Sequence, residues 1–142
     1  MEQDFSRKIT IVVDKTLPSW QVLNTIAHVS AYFGNKITEP FDTGDNFVTK
    51  DGVLLPRNSQ FPIIALAAHS AEAMRNLAQK VRASENILGM YFIKEMIETT
   101  DDNELENSVS AMNETDLIYY GVGLFGKNEV VKELTKNFKL WS

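Results

Sequence analysis

A chain of 142 residues is the size of one domain and can bury roughly two-thirds of its unfolded surface, so a single unit over 1–142 is expected. Its 44% hydrophobic and 23% charged residues suit a globular protein, and the absence of cysteine excludes disulfides, thiol catalysis and cysteine-held zinc. A net charge of −5 argues against nucleic acid as partner, because phosphate backbones select basic faces; Lys127, Lys132, Lys136 and Lys139 have the spacing of a solvated helix face.

No apolar run approaches the roughly 18 residues of a membrane span, and Met1-Glu2-Gln3-Asp4 lacks a basic leader. A cytoplasmic location with no membrane partner is the expectation. Residues 1–7 read as a polar lead-in. Ile9, Ile11 and Val13 alternate with Thr10 and Val12, which predicts a central β-branched strand over 8–14. Pro18 suits a first helical turn, Thr16 or Ser19 offers a cap, and Gly34-Asn35 is a stop. A helix is therefore expected from Trp20 to Gly34. At about 100° per residue, Val22, Leu23, Ile26, Val29, Ser30 and Phe33 fall on one side. Gln21, Asn24, Thr25, His28 and Tyr32 fall on the other.

Residues 36–45 read as loop. Phe47–Thr49 and Val53–Leu55 around Lys50-Asp51-Gly52 predict a small hairpin with a left-handed Gly52. Phe61–Ala68 is an apolar run suited to a strand buried on both faces, with Pro62 at its start. Ser70 caps a second helix with a Met74, Leu77, Ala78 and Val81 stripe, broken at 84–86. Ile87–Ile93 is a third long strand, and Lys94–Glu98 either continues it or opens a loop. Thr100 with Asp101, Asp102 and Glu104 marks an acidic helix start, with Leu105, Val109 and Met112 facing inward. Leu117–Phe125 is a fourth strand. Gly126 or Asn128 opens a last helix with Val130, Val131 and Leu134, and the chain closes on Phe138–Ser142. Strands alternate with helices, so the class is α/β with helices on both faces of a sheet.

Gly121-Val-Gly-Leu-Phe-Gly126 is a literal G-x-G-x-x-G, and with Lys127 also G-x-x-x-x-G-K. A dinucleotide fingerprint needs an acidic strand end about 20 residues on, and a phosphate loop needs Ser or Thr after the lysine; here Asn128 stands there. Gly121 and Gly123 are better read as strand glycines under close packing, and Gly126 as a turn. Asp42, Asp45 and Asp51 miss calcium-loop spacing, no G-x-S-x-G elbow occurs, and His69 reads as an ordinary hydrogen-bonded residue. Neither a metal nor a cofactor is expected. The informative feature is the polar stripe of the first helix, which a merely solvated face would fill with Lys and Glu. That helix starts just beyond the C-terminal edge of the first strand, where open α/β sheets bind ligands. Asp14, Trp20, Gln21, Asn24 and His28 are therefore the candidate ligand-binding residues.

The run Val12-Val-Asp-Lys-Thr-Leu-Pro-Ser-Trp-Gln-Val-Leu-Asn-Thr-Ile-Ala-His28 resembles the opening of the domain of unknown function 2000 family. The strand with Pro62 and the ending Tyr120–Gly126 through Leu134–Leu140 fit as well, so the resemblance spans nearly the whole chain. That family is similar in fold to the second type of peptidyl-tRNA hydrolase, which implies a mixed four-stranded sheet between helices, here with an extra hairpin. In that hydrolase the first helix begins with Gly-Lys and continues to Ser-His. Ala27-His28 falls on the Ser-His pair, but Gln21 falls where the catalytic lysine is expected. The Asp-Ala-Gly segment has no match in Met96-Ile-Glu-Thr-Thr-Asp101. A glutamine supplies neither positive charge nor an acidic proton.

The expected function is a binding module for a small ligand or a protein, lacking the hydrolase's lysine; self-association into a homodimer stays open. The alternative is a hydrolase of an acyl or ester bond on a small or tRNA-linked substrate.

Overall fold

The computed structural model describes residues 4–142. Strands β1 (Arg7–Asp14), β4 (Ile63–Ala68), β5 (Leu88–Ile93), β6 (Tyr119–Lys127) and β7 (Lys139–Leu140) form one mixed sheet in the order β5-β6-β1-β4-β7. β1 and β4 are parallel; every other pair is antiparallel. The expected four strands are thus five, because Leu140 pairs with Leu66 and turns the chain end into an edge strand. Two residues are too short a run for β alternation to register in a sequence.

Helix α1 (Ser19–Lys36) covers one face; α2 (Ala71–Ala83) and α5 (Asn128–Thr135) cover the other. The alternation of β1 sorts the layers. Ile9, Ile11 and Val13 join the core under α1 with Val22, Val29 and Phe33; Val12 joins Met74, Leu77, Val81 and Val131 under the other helices. Ser70 caps α2 as expected, its hydroxyl accepting from the Ala73 amide at 3.0 Å. Lys94–Glu98 is neither strand nor loop but a short helix, α3, followed by α4 (Asp102–Ser110). Asp101 caps α4, taking the Asn103 and Glu104 amides at 2.9 and 3.0 Å. Phe47–Val48 (β2) and Leu54–Leu55 (β3) form the hairpin, with Gly52 at φ +90°. No helix among the described residues is long and apolar enough to cross a membrane.

Three expectations from the sequence change. The buried stripe of α1 is Val22, Thr25, Val29 and Phe33, while Leu23 is 68% exposed. The helix is turned about its axis from the expected split because β6 passes beneath it as glycine. A Cβ on Gly121 would stand 2.5 Å from Thr25 Cγ2, and one on Gly123 2.4 Å from Val29 Cγ1 and 2.6 Å from the Phe33 ring. Thr25 enters the core because it is small enough to fill the space over Gly121. The second change is at Gly126, which lies within β6 opposite Lys8 rather than in a turn. A 3₁₀ turn at Glu114–Asp116, closed by reciprocal bonds with Asn113, displaces the strand start to Tyr119.

Candidate functional site

The glycine-rich motif is strand, held between β5 and β1 in the sheet interior. A phosphate cradle needs backbone amides pointing together from a loop. Here Gly121 and Gly123 sit in ladders with a strand on each side, and the space above them is filled by the Thr25 methyl and by Val29 and Phe33 of α1.

The expected ligand residues gather at the end of the sheet where the parallel strands finish. Asp14 closes β1, and its Oδ1 accepts from the Thr16 amide at 2.8 Å and the Thr16 hydroxyl at 2.7 Å. That Asx turn folds the chain back, so α1 begins without a side-chain cap; neither Thr16 nor Ser19 serves as one. The Pro18 carbonyl takes the Gln21 and Val22 amides instead, at 3.0 and 3.2 Å. Trp20 is 59% exposed, Gln21 and Asn24 are half-buried, and His28 is exposed. The His28 ring lies flat on Phe92 of β5, centroids 5.1 Å apart and planes at 20°. Asp14, Trp20 and Gln21 share one corner. Asn24 and His28 follow one and two turns along the helix, about 12 Å separating His28 from Trp20. Among the described residues no side-chain hydrogen bond joins any two of the five; Trp20, Asn24 and His28 are linked only through the backbone ladder of α1.

Other groups enter this corner from β6 and α3. One step beyond the β1–β6 ladder, which ends with Val13 opposite Gly121, Asp14 comes level with Tyr120. Burial raises the Tyr120 phenol, and the Glu98 carboxylate adds to that; Asp14 and Glu95 push the same way and Lys94 opposes. The phenol therefore stays protonated and presents a donor. Lys94 Nζ lies 3.1 Å from Glu98 Oε2, and this hydrogen bond holds the ammonium above its ordinary value. One Glu95 carboxylate oxygen is buried without a partner among the described residues. Lys15, next to Asp14, lies 4.2 Å from the Trp141 ring centroid and bonds the Ser142 carbonyl. Sequence reasoning missed Tyr120 and α3. The available signal was the Tyr119-Tyr120 pair opening a strand whose glycines demand a close neighbour.

At the opposite end of the sheet lies an open cleft of about 830 Å³ between the start of β1, the end of β6 and the segment after α1. Arg7, Lys36 and Lys127 line it with Glu39 and Glu85 over a floor that includes Phe125 and Leu88. Arg7 is already engaged: it pairs with Glu39, approaches Asp4 at 3.8 Å, and stacks over Phe61 and Phe125 at 5.2 and 5.4 Å. The Arg7 hydrogen bond lowers the Glu39 carboxyl below its ordinary range. These residues come from separated stretches with no common period, so no sequence pattern marks the cleft.

Chemically, the Asp14 corner offers a protonated phenol, an ammonium, amides and carboxylates. Among the described residues neither imidazole is hydrogen-bonded to a hydroxyl or a carboxylate, the arrangement that would activate a nucleophile.

No curated protein matches the chain. Among solved structures, a protein of unknown function, Atu0240 from Agrobacterium tumefaciens strain C58, superposes with a TM-score of 0.84. It is 24% identical, over 98% of this chain and 100% of that one, a likeness that establishes the fold. Residues 7–142 match the family described as "Protein of unknown function (DUF2000)", so nearly the whole chain is accounted for and it belongs to that family.

Proposed function

We propose that the protein is a non-covalent binding module for a small polar molecule, received at the corner formed by Asp14, Gln21, Asn24 and His28 with Tyr120 and Lys94. Trp20 flanks that corner. In this reading the fold is kin to that of the second type of peptidyl-tRNA hydrolase, with recognition kept and hydrolysis absent. The observation that carries it is the meeting of Asp14, Tyr120 and the Lys94–Glu98 pair, from three elements, beside the uncapped start of α1. A helix start without a side-chain cap leaves amides directed outward, which favours a carbonyl or carboxylate. The Tyr120 phenol and the Gln21 and Asn24 amides add donors, and Asp14 and Glu98 accept from a ligand N–H. Binding suits the state of these groups better than catalysis does. Tyr120 is held protonated and Lys94 is held charged, so neither is a base near neutral pH.

A thermal-shift panel of amino acids, short-chain carboxylates and primary amides tests this, with wild type beside Asp14→Asn and Tyr120→Phe. A ligand at a hundred times its dissociation constant adds about 2.7 kcal/mol, or roughly 8–10 °C for a domain of this size. At least one compound should stabilise the wild type and lose that effect in both variants. Equal stabilisation of all three proteins would move the site elsewhere; no stabilisation by any member would end the small-ligand reading.

A further inference from the structure

We propose that the outward face of α1 is a self-docking surface, on which two copies of this chain pack antiparallel about a two-fold axis at Ala27. From Ser19 through Asn35 the helix carries no Asp, Glu, Lys or Arg, although the chain has a net charge of −5. A solvated face would be charged, as the exposed turns of α2 and α5 are. Self-association of an acidic protein meets mutual repulsion everywhere except where charge is missing, and α1 is that place. Two large apolar side chains stand open on it: Trp20 is 59% exposed and Leu23 68%.

The shape of the face selects a second copy. Trp20, Leu23, Ala27, Ala31 and Gly34, all exposed, recur at spacings of three, four, four and three, bulky at the start and small at the end. With two such helices antiparallel about Ala27, residues equidistant from it face one another. Leu23 of one copy meets Ala31 of the other, Trp20 meets Gly34, and Ala27 meets itself. Bulk enters space at both ends, and small residues at the centre permit close approach. Gly34 supports this independently. A Cβ there would find nothing within 4 Å among the described residues, so the packing they show does not explain a glycine that weakens the helix relative to alanine.

The same operation accounts for the hairpin. Phe47, Val48, Val53, Leu54 and Leu55 are 45–63% exposed. The arm that carries them is rooted just past the C-terminus of α1, where the Gln60 amide bonds the Phe41 carbonyl at 2.7 Å. In the antiparallel pair, each arm root lies at the end of α1 that holds Trp20 and Leu23 of the other copy. The exposed fractions of these seven apolar side chains amount to roughly 500 Å² per copy, or about 1,000 Å² for the pair, the threshold of a stable interface. Gln21 and His28 lie on the opposite shoulder of the helix, so this surface adjoins the proposed ligand corner only at Trp20 and Asn24.

Sedimentation velocity on the full chain, up to about 200 µM, tests the proposal with Ala27→Glu, Ala27→Lys and their equimolar mixture. Wild type should sediment as a dimer. Each charged variant should associate about a hundredfold more weakly, since like charges would face each other across the axis, with an unchanged circular dichroism spectrum. The mixture should recover a dimer, because a carboxylate then faces an ammonium. Leu23→Ser, which changes an exposed position without adding charge, should also weaken association and guards against a folding defect in the Ala27 variants. A monomeric wild type would overturn the second copy as occupant and leave the face to a different protein. Dimers that survive both Ala27 substitutions would place the interface elsewhere, and a mixture that stays monomeric would overturn the axis at Ala27.

Discussion

Gly123→Ala should destabilise the protein by about 2 kcal/mol. The added methyl would stand 2.4 Å from Val29 Cγ1 and 2.6 and 2.9 Å from two carbons of the Phe33 ring, inside any real carbon–carbon contact. Neither neighbour can yield. Val29 is fully buried and, being β-branched, has essentially one helical rotamer; Phe33 is fully buried as well. α1 must therefore lift from β6 or shift along it. Overpacking of this kind costs about 1–3 kcal/mol, and rigid neighbours favour the upper end. Replacing glycine also restricts the unfolded chain, which returns roughly 0.4–1 kcal/mol, leaving the net near 2. Urea unfolding followed by far-ultraviolet circular dichroism measures it, and the midpoint temperature should fall by about 6–8 °C. Val29→Ala in the same chain provides the internal check. It should cost stability alone, yet in the double variant the two losses should add to less than their sum by at least about 1 kcal/mol, since the second change vacates the space the first one needs. A neutral or stabilised Gly123→Ala, or strict additivity with Val29→Ala, would refute the claim that these glycines exist to admit α1.

Gly34→Ala, placed in the Ala27→Glu background, should raise unfolding stability by about 0.5–1 kcal/mol in urea melts, because the helix gains propensity and the new methyl meets open space. The Tyr119 and Tyr120 phenols are both raised, chiefly by burial, so their stabilisation is whole below the unfolded tyrosine value of about 10 and is lost as pH climbs through the folded values. Urea melts between about pH 9 and 11, with phenolate absorbance recorded, should show falling stability, and Tyr120→Phe should flatten part of the fall. Purified protein should not release peptide from labelled peptidyl-tRNA at an enzymatic rate, and Gln21→Lys alone should not restore it, because groups acting as a unit are non-additive. Robust wild-type turnover in that assay would promote the hydrolase alternative.

Local chemistry determined much of this protein before any packing was considered. The β-branched alternation of β1, the apolar run of β4, the Ser70 cap and the stripe of α2 are each specified within a window of a few residues, where propensity and periodicity act. The layered α/β arrangement follows from their order. The glycines of β6 were legible as close-packing positions, but not what packs there, because Thr25, Val29 and Phe33 are nearly a hundred residues away in the chain. Only the tertiary structure decided which face of α1 is buried, since its polar residues are uncharged up to Lys36 and interleave with apolar ones, and the glycine groove beneath it sets the angle. It also decided that Leu140 adds a fifth strand, and that Asp14 and Lys94 both come near Tyr120 while Arg7 meets Glu39. These partners are distant in sequence and share no period; pairing register and chain reversal bring them together.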